Sequence, residues 1–167
     1  IAAGAMTNPK PDAVFGLHVL SIAPSGELWW QPGPTAAAAD DLDITVTGKG
    51  THGARPWAGV DPVVTASQIV LGLQTVVSRQ VDISSTPSIV TVATINGGVR
   101  SNIIPDKVTM TGTIRSYEPK IRDQLSADVK RVAENIAASA GAHAEVTIDR
   151  GDDPAINDPA LTAEIQP

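Results

Sequence analysis

The chain contains no cysteine, so disulfides and thiolate metal ligands are excluded. That absence names no compartment, because a cysteine-free protein survives in any redox setting. Aromatic residues make up 3% of the 167 positions and comprise Phe15, Trp29, Trp30, Trp57 and Tyr117. None falls on the central strands read below, so the stacking platform of an RNA-binding sheet is missing. Basic charge is also short, with 12 Lys and Arg against 18 Asp and Glu and a net charge of -6. Nonspecific nucleic-acid binding needs the opposite balance, and no nucleic-acid partner is expected. No apolar run approaches the ~18 residues that span a bilayer, so no membrane partner is expected either. HExxH, Walker, nucleophile-elbow and GxGxxG motifs are all missing.

What is present is a regular alternation of elements. Leu42, Ile44 and Val46 alternate with Asp43, Thr45 and Thr47, the signature of a half-buried strand. Asp61-Pro62 supplies an N-cap and a first-turn proline. Val63, Ala66, Val70, Leu73 and Val77 then recur at helical spacing to about Ser78. Ser88 to Ile95 reads as a strand ending at Asn96-Gly97-Gly98, and Val108 to Arg115 as a second alternating strand. Pro119 opens a helix carrying Ile121, Leu125, Val129, Val132 and Ile136 on one stripe and closed by Gly141. Ala144, Val146 and Ile148 form a last strand, whose other face carries His143, a surface residue.

The order from Leu42 to Asp149 is β-α-β-β-α-β. It predicts an α+β, ferredoxin-like sandwich, one antiparallel sheet with two helices on one face. Residues 1–37 and 152–167 fall outside this unit and read as segments of an α/β domain into which residues 38–151 are inserted. Asp12 to Leu20, DAVFGLHVL, reads as a buried strand of that flanking domain, and Ala36–Ala39 with Asp40 and Asp41 as a crossing linker. The missing initiator Met and the ending LTAEIQP are expected of a piece of a longer protein.

The stretch Gly48 to Pro62, GKGTHGARPWAGVDP, concentrates chemistry. Gly48, Gly50 and Gly53 permit unusual backbone angles and close approach around His52, and Pro56 and Asp61-Pro62 stiffen the exit. A histidine so framed is positioned, although a loop chosen only for turning fits the same pattern. His18 ends an apolar strand, where α/β enzymes place ligands. A core histidine with a satisfied hydrogen bond fits its spacing equally well. GGVRSNIIPD, Gly97 to Asp106, reads as a hairpin loop with a polar Arg-Ser-Asn group, and Arg115 as a residue on the threonine-rich face.

Taken together, FGLHV, GKGTHGARPWAGVDPV, LQTVVSRQVD, GGVRSNIIPD, GTIRSYEP and NDP occur in an order that resembles the M20 metallopeptidase/amidohydrolase family across essentially the whole chain. The likeness is to its N-acyl-amino-acid, hippurate and auxin-conjugate hydrolase group. One departure is HGARP, where many relatives read HAAMP. The resemblance implies a two-metal catalytic domain interrupted by a ferredoxin-like lid that also forms a homodimer. By the same resemblance, His18 is a metal ligand and His52 polarises the scissile carbonyl, commonly in the partner subunit's site. Asn102 hydrogen-bonds substrate or intermediate, and Arg115 receives the substrate carboxylate. The reaction implied for the full-length enzyme is metal-assisted hydrolysis of N-acyl amino acids or small peptide-like conjugates, using two divalent ions (Zn, Mn, Co or Ni). The general-base glutamate and most ligands are expected outside this chain, which alone is expected to bind none of the ions and to be inactive. The compartment expected is cytoplasmic or periplasmic, as for a bacterial-type soluble protein. The alternative reading is a noncatalytic ferredoxin-like module for association or small-molecule binding.

Overall fold

The computed structural model describes Gly4 and residues 6–165. The outermost parts of the expected flanking segments, residues 1–3, 5 and 166–167, lie outside the described residues. The chain divides into two compact units, Ile1–Trp30 and Gln31–Pro167.

The larger unit is built on four strands: β2 (Ala38–Thr47), β4 (Ser88–Gly97), β6 (Lys107–Ser116) and β7 (His143–Arg150). They pair antiparallel in the order β4-β6-β2-β7. Helices α1 (Pro62–Thr75) and α2 (Pro119–Ser139) cover one face. This is the expected βαββαβ sandwich, and it follows from period-2 burial in the central strands. Leu42, Ile44 and Val46 of β2 and Val108, Met110 and Ile114 of β6 point into one core with Ile69 and Leu73 of α1 and Leu125 and Val129 of α2. The opposite sheet face is polar and uncovered, carrying Asp43, Thr45, Thr109, Thr111, Thr113, Glu145 and Thr147.

Both helices start and stop where local chemistry directs. The Asp61 carboxylate accepts from the Val63 and Val64 amides at 2.8 and 3.2 Å, an N-cap above Pro62 at the first turn. The helical path then widens into a π turn over Val76–Gln80. Helix α2 closes at Gly141, whose positive φ of 72° suits a residue without Cβ. The inward stripe of α1 is Thr65, Ala66, Ile69 and Leu73 rather than one running from Val63, which is exposed. Val63, Val64, Ile69, Val70, Leu71 and Leu73 offer apolar side chains all round this helix, so periodicity alone does not fix its phase.

The segment Ala36–Asp41 also differs from a linker, because β2 already begins at Ala38. Asp40 continues the inward phase of Leu42 and Ile44, and it is 1% exposed. Its carboxylate meets the buried Arg122 of α2, accepting from Nε at 2.9 and 3.1 Å and from Nη2 at 2.5 Å. Arg122 also reaches the Asp153 carboxylate at 2.7 Å and the Gly151 carbonyl at 3.1 Å. The pair therefore ties the entry strand, α2 and the exit segment together. Just outside the sheet, β1 (Gly33–Ala36) and β8 (Ala155–Asn157) pair antiparallel, and a short helix α3 (Pro159–Glu164) follows.

The smaller unit has no strand among its described residues. Asp12–Leu20, expected as a buried strand, is unpaired there, with Phe15, Leu17 and Val19 exposed. A continuous apolar run signals the wish for burial but not the partner that provides it.

Candidate functional site

The sequence between β2 and α1 does not wander as an open loop. Its residues Thr51–His52 form β3, which pairs antiparallel with β5 (Ile103–Ile104), so that Thr51 faces Ile104 and His52 faces Ile103. The Gly53 amide donates to the Asn102 carbonyl at 2.8 Å. This small ribbon brings His52 and Asn102, 50 positions apart, side by side.

The glycines work by closeness, not by unusual angles. None of Gly48, Gly50 and Gly53 has a positive φ. A Cβ on Gly48 would lie 2.2 Å from the Val60 carbonyl, and one on Gly50 would lie 2.9 Å from Asp106 Oδ1. The same Asp106 oxygen accepts from the Gly50 amide at 2.7 Å, and the Asp106 carbonyl accepts from the Gly48 amide at 2.8 Å. Asp106 is thus the clamp between the two motifs. Beyond His52, Lys49 and Val60 exchange both backbone hydrogen bonds at 2.9 Å, and Pro56–Ala58 forms a single 3-10 turn carrying the exposed Trp57. The exit of the loop is therefore fixed to its entrance.

The imidazole itself is oriented. His52 Nδ1 accepts from the Ala54 amide at 3.1 Å. A neutral imidazole with an accepting Nδ1 carries its proton on Nε2, so the exposed ring presents an N–H donor at its tip. A groove of about 620 Å³ runs alongside, lined by His52, Val99, Ile103, Asp106 and Lys107 among others. Such a donor on a rigid support can stabilise negative charge developing on a carbonyl oxygen.

Arg115 lies elsewhere. It faces Ala39 of β2 and Ile89 of β4, on the uncovered face at the far end of β6. The His52 ribbon is at the opposite end, where Thr47 faces Lys107. Eight strand positions separate Lys107 from Arg115, roughly 27 Å at the rise of an extended chain. The register thus sets Arg115 at one end of β6 and the strand's junction with the His52–Asn102 ribbon at the other.

His18 sits in the smaller unit and is exposed. Its Nδ1 lies 2.7 Å from the Val19 carbonyl. If Nδ1 carries the proton, Nε2 keeps its lone pair, the arrangement that suits a metal-ligating histidine. The donor set thus fits a metal through one nitrogen. Among the described residues, no group of three or more His, Asp or Glu comes together as a metal cluster.

This fold and loop are matched among known proteins. A family model described as a peptidase dimerisation domain, of the M20 group, covers residues 39–141. The chain belongs to the M20 peptidase family. It is 39% identical over 155 residues to an N-acetyl-L-cysteine deacetylase of Bacillus subtilis, covering 93% of this chain and 37% of that protein. It is 36% identical over 166 residues to thermostable carboxypeptidase 2 of Saccharolobus solfataricus, covering 99% of this chain and 42% of that protein. Among solved structures it is similar to the YXEP protein of Bacillus subtilis, described as a dinuclear metal binding peptidase, with 28% identity and a TM-score of 0.62 over 80% of this chain and 32% of that one. The chain spans about two fifths of the length of the curated relatives it matches.

Within this M20 chain the residue that sequence reasoning missed is Asp106. It stood in the SNIIPD motif, but its partners are the amides of Gly48 and Gly50, and nothing in a linear pattern announces a contact across 56 positions. The Asp40–Arg122 pair did carry a signal. Extending the Leu42, Ile44, Val46 alternation backwards places Asp40 inside, and a buried carboxylate calls for a cation. Among the described residues no helix is long and apolar enough to cross a membrane.

Proposed function

We propose that this chain is the lid and dimerisation portion, with catalytic-domain flanks, of a metal-dependent amidohydrolase that cleaves the amide bond of N-acyl amino acids or small peptide-like conjugates. The observation that carries this reading is the rigid presentation of the His52 Nε2–H beside Asn102, clamped by Asp106 and backed by an accepting Nδ1. A deacetylase of an N-acyl amino acid and a carboxypeptidase, two of its relatives, are both named for cleavage of an amide next to a carboxylate-bearing residue.

In this reading, residues 1–37 and 152–167 belong to the catalytic domain and residues 38–151 to the lid. Two divalent ions, when bound, would supply Lewis-acid chemistry that acidifies the attacking water, and His18 would offer one nitrogen toward them. As the carbonyl carbon becomes tetrahedral, the His52 Nε2–H donates to the oxygen that gains charge. Loss of one such preorganised donor typically costs 10²–10³ in kcat, about 3–4 kcal/mol. The Asn102 amide hydrogen-bonds the substrate beside His52. Arg115 holds the free carboxylate through its guanidinium fork. The separation of Arg115 from His52 along β6 supports a composite site, in which His52 and Asn102 of one protomer serve the substrate held by Arg115 of its mate.

Such a site requires a dimer, and the sheet edges differ in their fitness for one. Edge strand β4 and helix α1 contain no charged residue, whereas β7 carries Glu145, Asp149 and Arg150, and α2 carries seven charged residues. Val64 and Leu71 on α1 and Ile89 and Ile95 on β4 are about half exposed or more. A long, uncharged edge strand invites pairing with another strand. The β4–α1 side is therefore the dimer face of the proposed lid, meeting a second copy about a two-fold axis.

The test is His52→Ala in the full-length hydrolase. Turnover falling about 10²-fold or more with the dimer intact supports the catalytic lid. Unchanged turnover with a weakened dimer supports a purely associative module and removes the proposal.

A further inference from the structure

At the Arg115 end of the sheet the larger unit carries a second, open pocket of about 350 Å³, lined by Gln31, Pro34, Thr86, Pro87, Tyr117 and Glu118 among others. It begins where β6 ends, just past Arg115. β6 ends at Ser116, and Tyr117 and Glu118 follow it directly. Ser88, paired with Ser116, begins β4, and Thr86 and Pro87 immediately precede it. Two residues of extended chain span roughly 7 Å, the reach of a long amino-acid side chain from its own carboxylate.

The walls have a definite chemistry. Pro34, Pro87 and the Tyr117 ring are apolar. Glu118 is held by the buried Thr86, whose Oγ1 donates to Oε1 at 2.8 Å. The Gln31 amide nitrogen donates to the Pro34 carbonyl at 2.6 Å, leaving its oxygen as an acceptor. Among the described residues, Glu118 is the one charged group lining the cavity. A cavity with apolar walls, spare acceptors and one carboxylate welcomes a side chain that brings hydrogen-bond donors and repels one that brings a second negative charge.

We propose that this cavity is the subsite for the amino-acid side chain of the substrate, and that Glu118 sets it for long neutral or cationic side chains against acidic ones. The proposal rests on the reading that Arg115 receives the substrate carboxylate. It adds Glu118, Tyr117 and Gln31 as residues that decide specificity, none of which takes part in the bond cleavage.

N-acetylglutamine and N-acetylglutamate are the matched probes, since they differ only by an amide in place of a carboxylate. In the metal-loaded full-length hydrolase, kcat/KM for the glutamine compound should exceed that for the glutamate compound by about tenfold or more. Glu118→Gln, which keeps an acceptor for Thr86, should narrow the ratio to within about threefold, chiefly by improving the glutamate compound. Retained turnover of the glutamine compound shows that the variant is folded. Arg115→Ala should raise KM for both compounds alike. An unchanged ratio in Glu118→Gln, with Arg115→Ala still impairing both, overturns the subsite and leaves the carboxylate reading standing. Arg115→Ala without effect on either KM, or no turnover of either compound, overturns the carboxylate reading and the subsite with it.

Discussion

The buried ion pair between Asp40 and Arg122 supports a quantitative test of how the lid is held together. Arg122→Met removes the guanidinium but keeps most of the apolar stem volume. The Asp40 carboxylate, 1% exposed, then retains only the Gly151 amide at 3.2 Å as a hydrogen-bond donor. Breaking a buried pair from one side typically costs about 3–5 kcal/mol, because an uncompensated charge is left behind. Replacing both partners by apolar residues of similar size is often close to neutral. The double variant Asp40→Leu with Arg122→Met should therefore regain most of the loss, and the double-mutant cycle should give a coupling above about 2 kcal/mol. Urea unfolding of the chain, followed by circular dichroism, reads each value.

The same pair carries a pH signature. The hydrogen bonds from Arg122, with its positive charge beside them, hold the Asp40 carboxyl below the usual carboxylate range. A depressed folded-state value contributes stability that is complete above the unfolded value of about 3.9 and is lost as pH falls through the folded value. The stability of wild type relative to the double variant should then be constant from pH 7 to about 5 and fall below about 4. A loss under about 1 kcal/mol for Arg122→Met, or additive single effects, would refute the account of this pair.

Three further outcomes follow from named contacts. Asp106→Ala removes the acceptor of the Gly50 amide and should raise that amide's hydrogen-exchange rate about tenfold or more, with Asp106→Asn showing a smaller effect. Asp61→Ala removes a side-chain cap from two amides of α1 and should destabilise the chain by about 1 kcal/mol in thermal unfolding, while Asp61→Ser stays close to wild type. Ile95→Lys, on the uncharged edge strand β4, should shift the sedimentation of the full-length protein toward the monomer, and Glu145→Lys on β7 should leave it unchanged.

Much of the architecture was legible because its signals are local. The alternation of β2, β6 and β7, the Asp61-Pro62 start of α1 and the Gly141 stop of α2 each depend on residues within a few positions. The phase of α1 was not legible, since its apolar residues surround the helix and only the position of the sheet selects Ile69 and Leu73 over Val63. His52 was singled out by its glycines and prolines, but the reason those glycines are needed is the carbonyl of Val60 and the carboxylate of Asp106, both distant in sequence or hidden by the turn. The neighbourhood of His52 and Asn102 depends on the β3–β5 ribbon, two residues on each side and too short to leave a pattern. The distance of Arg115 from both emerges only once the strands are laid in register.

The composite site is the central claim, and subunit mixing tests it most directly. His18→Ala and His52→Ala versions of the full-length hydrolase, each impaired alone, are unfolded together, refolded and assayed with metal present. If His52 serves its partner's site, each mixed dimer holds one protomer with intact His18 that receives an intact His52 from its mate. A random mixture should then recover about a quarter of wild-type activity. If His52 acts within its own protomer, every site in the mixture lacks one of the two histidines. Activity no higher than that of the separate variants, from a mixture shown to contain mixed dimers, would contradict the account.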